Sequence, residues 1–433
     1  MSRTVNGSDL LDFFRISLKC EANILVAASV DTGFEWQAID ECTEKLGKNL
    51  EIVKTRGRIY FIITYDLFYK VCELRSIDNI FIIANIYHLD FEANKQSDLE
   101  LILKNVRNDV LINKSLFIWK RITGFPGKIH PSREEYEVAH ETKLLENLTI
   151  EPTGEKKKGR IRGTIPHEAS ETCVLKFRVT CERTGEHSFD SNDAARIVGG
   201  ELQNKYLWVA DMTKYHLEIV CKIIQDKFII NFRVTPISMH HRNIVAFGPT
   251  TLRATICYNL LRLVKPVKGD IVIDPMCGGG SIPIEGAAAY PYKYVLCGDY
   301  HDLAVQRAKT NINAMPDKKK IDLLQLNVNE LPFRDSCIDI IVADMPFGKR
   351  SGHKVDNRIL YKNFLQEAAR VIRQSTGRLS LLTHDRRSFN QAIKTVKYYF
   401  HIKNILAVTI GGLSAAVYVL IRTDYPFQSN KLN

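Results

Sequence analysis

From Thr250 onward, short apolar runs alternate with amphipathic stretches: Ile271-Val272-Ile273, then 282 to 289, Val295-Leu296-Cys297, 303 to 312, Leu323-Leu324-Gln325-Leu326, and 338 to 343. Neighbouring parallel strands need a crossover of a dozen or more residues, and an amphipathic helix between successive strands supplies one. The pattern predicts a doubly wound, mostly parallel α/β sheet. After it, 405 to 410 and 415 to 421 flank Gly411-Gly412, the spacing of a terminal antiparallel hairpin.

Upstream the period changes. Residues 22 to 90 mix apolar runs such as Ile24-Leu25-Val26-Ala27-Ala28 and Ile59-Tyr60-Phe61-Ile62-Ile63 with helical patterns over 35 to 46 and 67 to 74, which reads as a small α+β unit. Between 129 and 171 the pattern fails. Pro, Gly, Glu and the run Lys156-Lys157-Lys158-Gly159-Arg160-Ile161-Arg162 predict a basic linker or insertion, either a solvated charge run or an RNA contact. Order returns with a strand over 174 to 179 and a helix over 193 to 202 capped by Ser191 or Asn192. Strands over 217 to 221 and 228 to 232 follow, joined by a turn at Asp226-Lys227.

A chain of 433 residues is expected to hold two or three domains. Its 45% hydrophobic and 25% charged residues exclude fibrous and largely disordered classes. The net charge of +11 favours a polyanionic partner, since each Lys or Arg set against a phosphate releases counterions; the alternative is charge kept for solubility alone. The 10 cysteines are scattered with no CxxC, so they are expected to be reduced thiols, and no metal site is expected. No leader pattern and no bilayer-length apolar stretch is present, which predicts a soluble intracellular protein.

The chemistry gathers at the strand ends. In Ile273-Asp274-Pro275-Met276-Cys277-Gly278-Gly279-Gly280-Ser281 a strand ends in an acid and a glycine turn precedes a helix. A phosphate-binding loop needs GxxxxGK[ST] and a dinucleotide fingerprint needs GxGxxG, but no Lys follows the glycines and position 283 is Pro. What remains is a loop suited to a zwitterionic amino-acid group, or a plain tight turn. Asp299 ends the second strand, where an acid either accepts ribose hydroxyls or caps a helix. Asn327 follows the third, where an amide can pair with an adenine edge. Asp344-Met345-Pro346-Phe347 ends the fourth. A carboxylate, a backbone carbonyl before proline and an aromatic face would together grip an exocyclic amine on a planar base and aim its nitrogen at a donor.

These residues resemble class I S-adenosylmethionine-dependent methyltransferases with a D-x-P-F/Y motif. Further, Phe177-Arg178-Val179-Thr180-Cys181, Ser191-Asn192-Asp193-Ala194-Ala195-Arg196 and Trp208-Val209-Ala210-Asp211-Met212 resemble a THUMP RNA-binding domain. With Arg242-Asn243, Phe247-Gly248-Pro249-Thr250-Thr251-Leu252-Arg253 and Asp344 to Arg350, the set resembles the THUMP domain-containing protein 3 family. The resemblance implies an N-terminal ferredoxin-like region over 1–128, the linker over 129–171, a THUMP domain over 172–238 and a Rossmann-like methyltransferase domain over 239–433. It implies a tRNA guanosine N2-methyltransferase acting in the acceptor stem, at position six or its neighbour. It implies S-adenosylmethionine as cofactor and, as partners, tRNA and a small zinc-binding activator subunit. The expected compartment is the cytoplasm, with the nucleus as an addition.

By motif match, Asp274, Pro275, Cys277, Gly278, Gly280, Asp299, Asn327, Thr251 and Arg253 would contact the cofactor, and Asp344, Met345, Pro346 and Phe347 the base. Gly279 stands where Thr is common, and Asn327 where many relatives carry Asp. Two other readings stay open: an RNA-binding protein whose methyltransferase fold no longer reacts, and an amino methyltransferase acting on adenine N6.

Overall fold

The computed structural model describes residues 10–149, 169–316, 321–346 and 354–428. They fall in two compact units. One draws on residues up to Ser29, Cys42–Leu74 and Asn79–Ser238; the other on Val30–Glu41, Arg75–Asp78 and the residues from Met239 on.

Among its described residues the first unit holds β1 (Asn23–Ser29), β2 (Ile52–Thr55), β3 (Arg58–Thr64), β4 (Asn79–His88), β5 (Lys176–Thr184), β6 (Val209–Ala210), β7 (Leu217–Ile224) and β8 (Lys227–Arg233). They form one sheet in the order β2-β3-β1-β4-β8-β7-β5-β6. The first four strands have the order of a ferredoxin-like unit, and the THUMP-like segment continues the same sheet through β4 and β8, which pair antiparallel from Phe81↔Arg233 to His88↔Lys227. The two regions that the sequence reading separates at 128 and 172 therefore share one sheet. The reason lies in β4: Ile80-Phe81-Ile82-Ile83-Ala84 is buried without a break, and a strand apolar on both faces belongs in the middle of a sheet.

The expected linker also differs. Residues Arg133–Thr149 form a helix, opened by a capping box in which the Ser132 hydroxyl accepts from the Glu135 N–H at 3.2 Å and the Glu135 carboxylate from the Ser132 N–H at 2.9 Å. The basic run 156 to 162 lies outside the described residues. The helix after β5 runs Ser191–Tyr206 and is capped by Asp190, whose carboxylate accepts the Asp193 N–H, so Ser191 and Asn192 already lie inside it. The β7–β8 turn sits at Gln225-Asp226, with Gln225 at φ 54°.

The second unit, among its described residues, holds β9 (Ile271–Asp274), β10 (Tyr294–Asp299), β11 (Ile321–Gln325), β12 (Ile340–Asp344), β13 (Arg378–Thr383), β14 (Phe400–Ile410) and β15 (Leu413–Arg422), in the order β11-β10-β9-β12-β13-β15-β14. The first five are parallel, and β15 runs antiparallel to β13 and β14. This is the doubly wound sheet with its terminal hairpin. Gly411 and Gly412, at φ 56° and 80°, make the two-residue turn. One face buries Ile273, Ile341, Leu379 and Leu381 with Tyr361, Phe364 and Phe389; another cluster gathers Cys277, Ile284, Val295, Cys297 and Ala308.

Two early segments complete this unit. Arg75 reaches the fully buried Glu285 through Nε at 2.7 Å and Nη2 at 2.9 Å, and Arg242 and Asn243 converge on the same carboxylate. Glu41 accepts the N–H groups of Arg75 and Ser76. The Thr255 hydroxyl stands 3.1 Å from Asp31 Oδ2 and 2.7 Å from Asp78 Oδ1. A hydroxyl has one proton to give, so it donates to one carboxyl at a time; burial and the Asp78 charge push Asp31 up to about 6.

Candidate active site

Strand order reverses between β9 and β12: β10 and β11 lie to one side of β9, β12 and β13 to the other. The crevice beyond the carboxyl ends at such a reversal is where open α/β sheets bind ligands. A cavity of about 460 Å³ occupies it, within the size range of small-ligand sites. Its wall includes Asp274, Pro275, Cys277 and Gly278 after β9, Asp299 at the end of β10, Asn327 after β11, and Asp344, Met345 and Pro346 at the end of β12. Thr251 lines it from the preceding loop.

Each of these groups is locally held. Asp274 is buried, its Oδ1 accepts the Met276 N–H at 3.1 Å, and burial together with the Asp299 and Asp344 charges drives its carboxyl well above the ordinary range. Asp299 accepts from Gly278 N–H at 2.9 Å and His301 N–H at 3.0 Å, which fixes the glycine turn against β10 while the carboxylate keeps lone pairs toward the cavity. Gly278 and Gly280 have φ 54° and 83°, the left-handed region the turn requires. The pKa of the Cys277 thiol is raised by a hydrogen bond with the Cys297 thiol and by burial, so it lines the wall as a thiol.

Asp344 Oδ1 is sealed from solvent and has no hydrogen-bond partner among the described residues, and burial pushes the carboxyl up to about 7. Beside it, Tyr361 donates its hydroxyl proton to the Pro346 carbonyl and lies 3.0 Å from Thr383 Oγ1, which immobilises the peptide after Asp344.

The sequence-derived set is not wholly assembled. Gly280 stays behind the wall: it caps the helix Ser281–Ala289, where a Cβ would meet Ile284 and Ala308 at 3.4 and 3.5 Å. Arg253 does not line the cavity; its guanidinium pairs with Asp31 at 3.2 Å and Asp78 at 3.7 Å, because two buried carboxyls beside it outcompete the solvent-open crevice. Asn327 Oδ1 accepts the Asn329 N–H at 3.0 Å, which fixes the amide with its Nδ2 and one Oδ1 lone pair still to offer an adenine. Phe347 lies outside the described residues. The sequence reading missed Asn357, which is 1% exposed and lines the cavity with an unpaired Nδ2. A single Asn inside a helix has no spacing signature that could have marked it.

A family model described as RMKL-like, methyltransferase domain matches residues 242–414. The tRNA (guanine(6)-N(2))-methyltransferase THUMP3 of Bos taurus is 37% identical over 453 aligned residues, covering 93% of this chain and 89% of that protein. The chain belongs to the THUMP3 family of tRNA (guanine(6)-N(2))-methyltransferases. Another relative, the U6 snRNA (guanine-N(2))-methyltransferase THUMPD2 of Bos taurus, is 32% identical over 57% of this chain and 48% of its own length. The crystal structure of TrmN from Thermus thermophilus shares the fold, with a TM-score of 0.69 at 20% identity over 92% of this chain and 99% of that one.

As a THUMP3-family methyltransferase the chain uses S-adenosylmethionine, and the cavity fits that molecule on its own terms. Three carboxyl groups, Asp274, Asp299 and Asp344, converge on one crevice and favour a ligand bearing positive charge, as a sulfonium and an ammonium do. The orphaned Asp344 Oδ1 awaits a donor that the described residues do not provide.

Proposed function

We propose that this chain methylates the exocyclic N2 of guanosine at position six of tRNA, with Asp344 as the catalytic residue. The observation that carries the assignment is the buried, unpaired Asp344 Oδ1 beside the cofactor crevice. S-adenosylmethionine, when bound, supplies a methyl group on a positively charged sulfur. Asp274, Asp299 and the glycine turn hold it, and Asn327 Nδ2 is the remaining donor toward its base.

Guanine N2 is a poor nucleophile because its lone pair is delocalised into the ring. Asp344 Oδ1 accepts one N2–H and a backbone carbonyl the other, which draws the nitrogen toward tetrahedral geometry and returns the pair to it. The second bond goes to the Met345 or the Pro346 carbonyl, the latter held in place by Tyr361 through one of its two lone pairs. As the new N–C bond forms, the methyl–sulfur bond breaks with its electron pair left on the sulfur, N2 becomes acidic and its proton passes to Asp344, whose raised pKa suits it as acceptor. Phe347 is assigned to stack on the base by motif match alone. Within the same reading the enzyme works in the cytoplasm as a heterodimer with a small zinc-binding activator subunit; affinity purification from fractionated cells tests both points.

The test is mass spectrometry of nucleosides from unmodified tRNA incubated with the chain, the activator and S-adenosylmethionine. N2-methylguanosine that disappears with Asp344→Ala, at unchanged tRNA affinity, is expected. N6-methyladenosine would replace the substrate, product from U6 snRNA alone would replace the RNA, and tight tRNA binding without product would make this an inactive binding protein.

A further inference from the structure

Asn357 lies in the helix Lys354–Val371, four residues before Tyr361, so both project from one face of that helix. The Tyr361 bond to the Pro346 carbonyl sets this face against the segment that follows Asp344. Asn357 therefore borders the β12 side of the cavity, whereas Asp274, Asp299 and Asn327 stand at the ends of β9 and β10 and beyond β11. An amide sealed from water and left without an acceptor is costly, and a native site that keeps one is shaped for an acceptor that arrives with a ligand. The same cavity holds the complementary case, the Asp344 acceptor without a donor.

We propose that Asn357 determines which base is methylated, its Nδ2 donating to the ring N3 of guanine while Asp344 accepts from the adjacent N2–H. This rests on the reading of the site given above. N2 and N3 are bonded to the same ring carbon, C2, so an acceptor and a donor on one wall match them side by side. On the other side of N2 stands N1–H, a donor that cannot accept from Nδ2, and O6 lies beyond it on C6, out of register with a pair that already holds N2. A bond at N3 also stops the base from pivoting in its plane about N2, the atom at which the Asp344 and backbone-carbonyl contacts both meet it, and so keeps the N2 lone pair aimed. Asn357 thus acts by reading and orienting the base, with no proton transfer assigned to it.

An atomic double-mutant cycle tests this. The full chain with its activator subunit is assayed on tRNA carrying guanosine or 3-deazaguanosine at position six, the latter having C–H in place of N3. The Asn357→Ala change and the 3-deaza change are each expected to lower kcat/KM by about 10- to 100-fold, the first stranding the N3 acceptor and the second the Nδ2 donor. Combined, they should lower it no further than either alone. Losses that multiply would overturn the proposal. Asn357→Asp, which keeps the shape and removes the donor, should match Asn357→Ala on guanosine, and a wild-type rate would overturn it too. Calorimetry should show S-adenosylmethionine affinity unchanged in both variants; a tenfold loss would assign Asn357 to the cofactor instead. If the wild-type chain makes no N2-methylguanosine on guanosine tRNA, the reading of the whole site fails, and this inference with it.

Discussion

At Asp344 one carboxyl is asked to be both buried and ionised, and the two demands have measurable signs. Its folded pKa of about 7 stands above its ordinary 3.8, so the folded state holds a proton that the unfolded chain has lost. Stability contributed by the protonated form is present below about 4 and lost as pH rises through 7. Asp344→Asn removes that loss: the variant should melt higher than wild type at pH 8 and equal to it near pH 4, while its turnover falls by at least about 100-fold. Wild-type kcat/KM should rise with a one-proton slope to a plateau above about pH 7, as the carboxylate becomes able to accept N2–H; a flat profile from pH 5 to 9 would remove Asp344 from that role. At this scale the sequence was most readable where a residue ends a strand. Asp274, Asp299 and Asp344 each follow an apolar run, and the fold brings all three to one crevice. Arg253 and Asn357 were misplaced or missed because their surroundings come from elsewhere: Asp31 and Asp78 for one, the face of Tyr361 for the other.

The glycine loop and the segment before Thr251 are held together by one side chain. Asn311, fully buried in the helix Asp302–Asn313, accepts the Val245 and Ala246 N–H groups at 3.0 and 2.7 Å, and donates to the Ala246 and Gly279 carbonyls at 3.0 and 2.8 Å. Every hydrogen-bonding site of the amide is used. Asn311→Ala strips all four bonds and should cost about 2–4 kcal/mol by chemical denaturation and weaken S-adenosylmethionine binding, with both loops loosened together. A change of only a few tenths of a kcal/mol would show that the loops hold without it. Strands and the doubly wound order were legible because period and spacing carry them. The helix Arg133–Thr149 was not, although its Ser132/Glu135 box was in plain view. Pro131 and a charge-rich composition masked a signal that only the pairing of two side chains with two backbone groups makes decisive.

At the scale of the molecule, the methyltransferase unit is not a contiguous stretch of chain. Its described residues include Val30–Glu41 and Arg75–Asp78, which contribute Asp31, Glu41, Arg75 and Asp78 to its buried polar network. A fragment cut at the expected boundary, 239–433, leaves Glu285 buried without Arg75 and Thr255 without either carboxyl. It should be insoluble or melt far below the full chain, and a fragment with wild-type stability would refute the role given to those segments. In the full chain, Glu285→Ala should cost about 3–5 kcal/mol, since it strands two guanidinium groups. No periodicity reveals such a division, because each early segment is short and reads as a loop or helix start of the unit around it. Asp31 and Thr255 are separated by 224 residues of chain. A ribosome adding about 5–20 residues per second needs on the order of 10–45 s to cover that interval. Throughout that time the first pieces of the catalytic unit are already made and have nothing to bind, so the enzyme's last folding step must wait on the stretch from Met239 on.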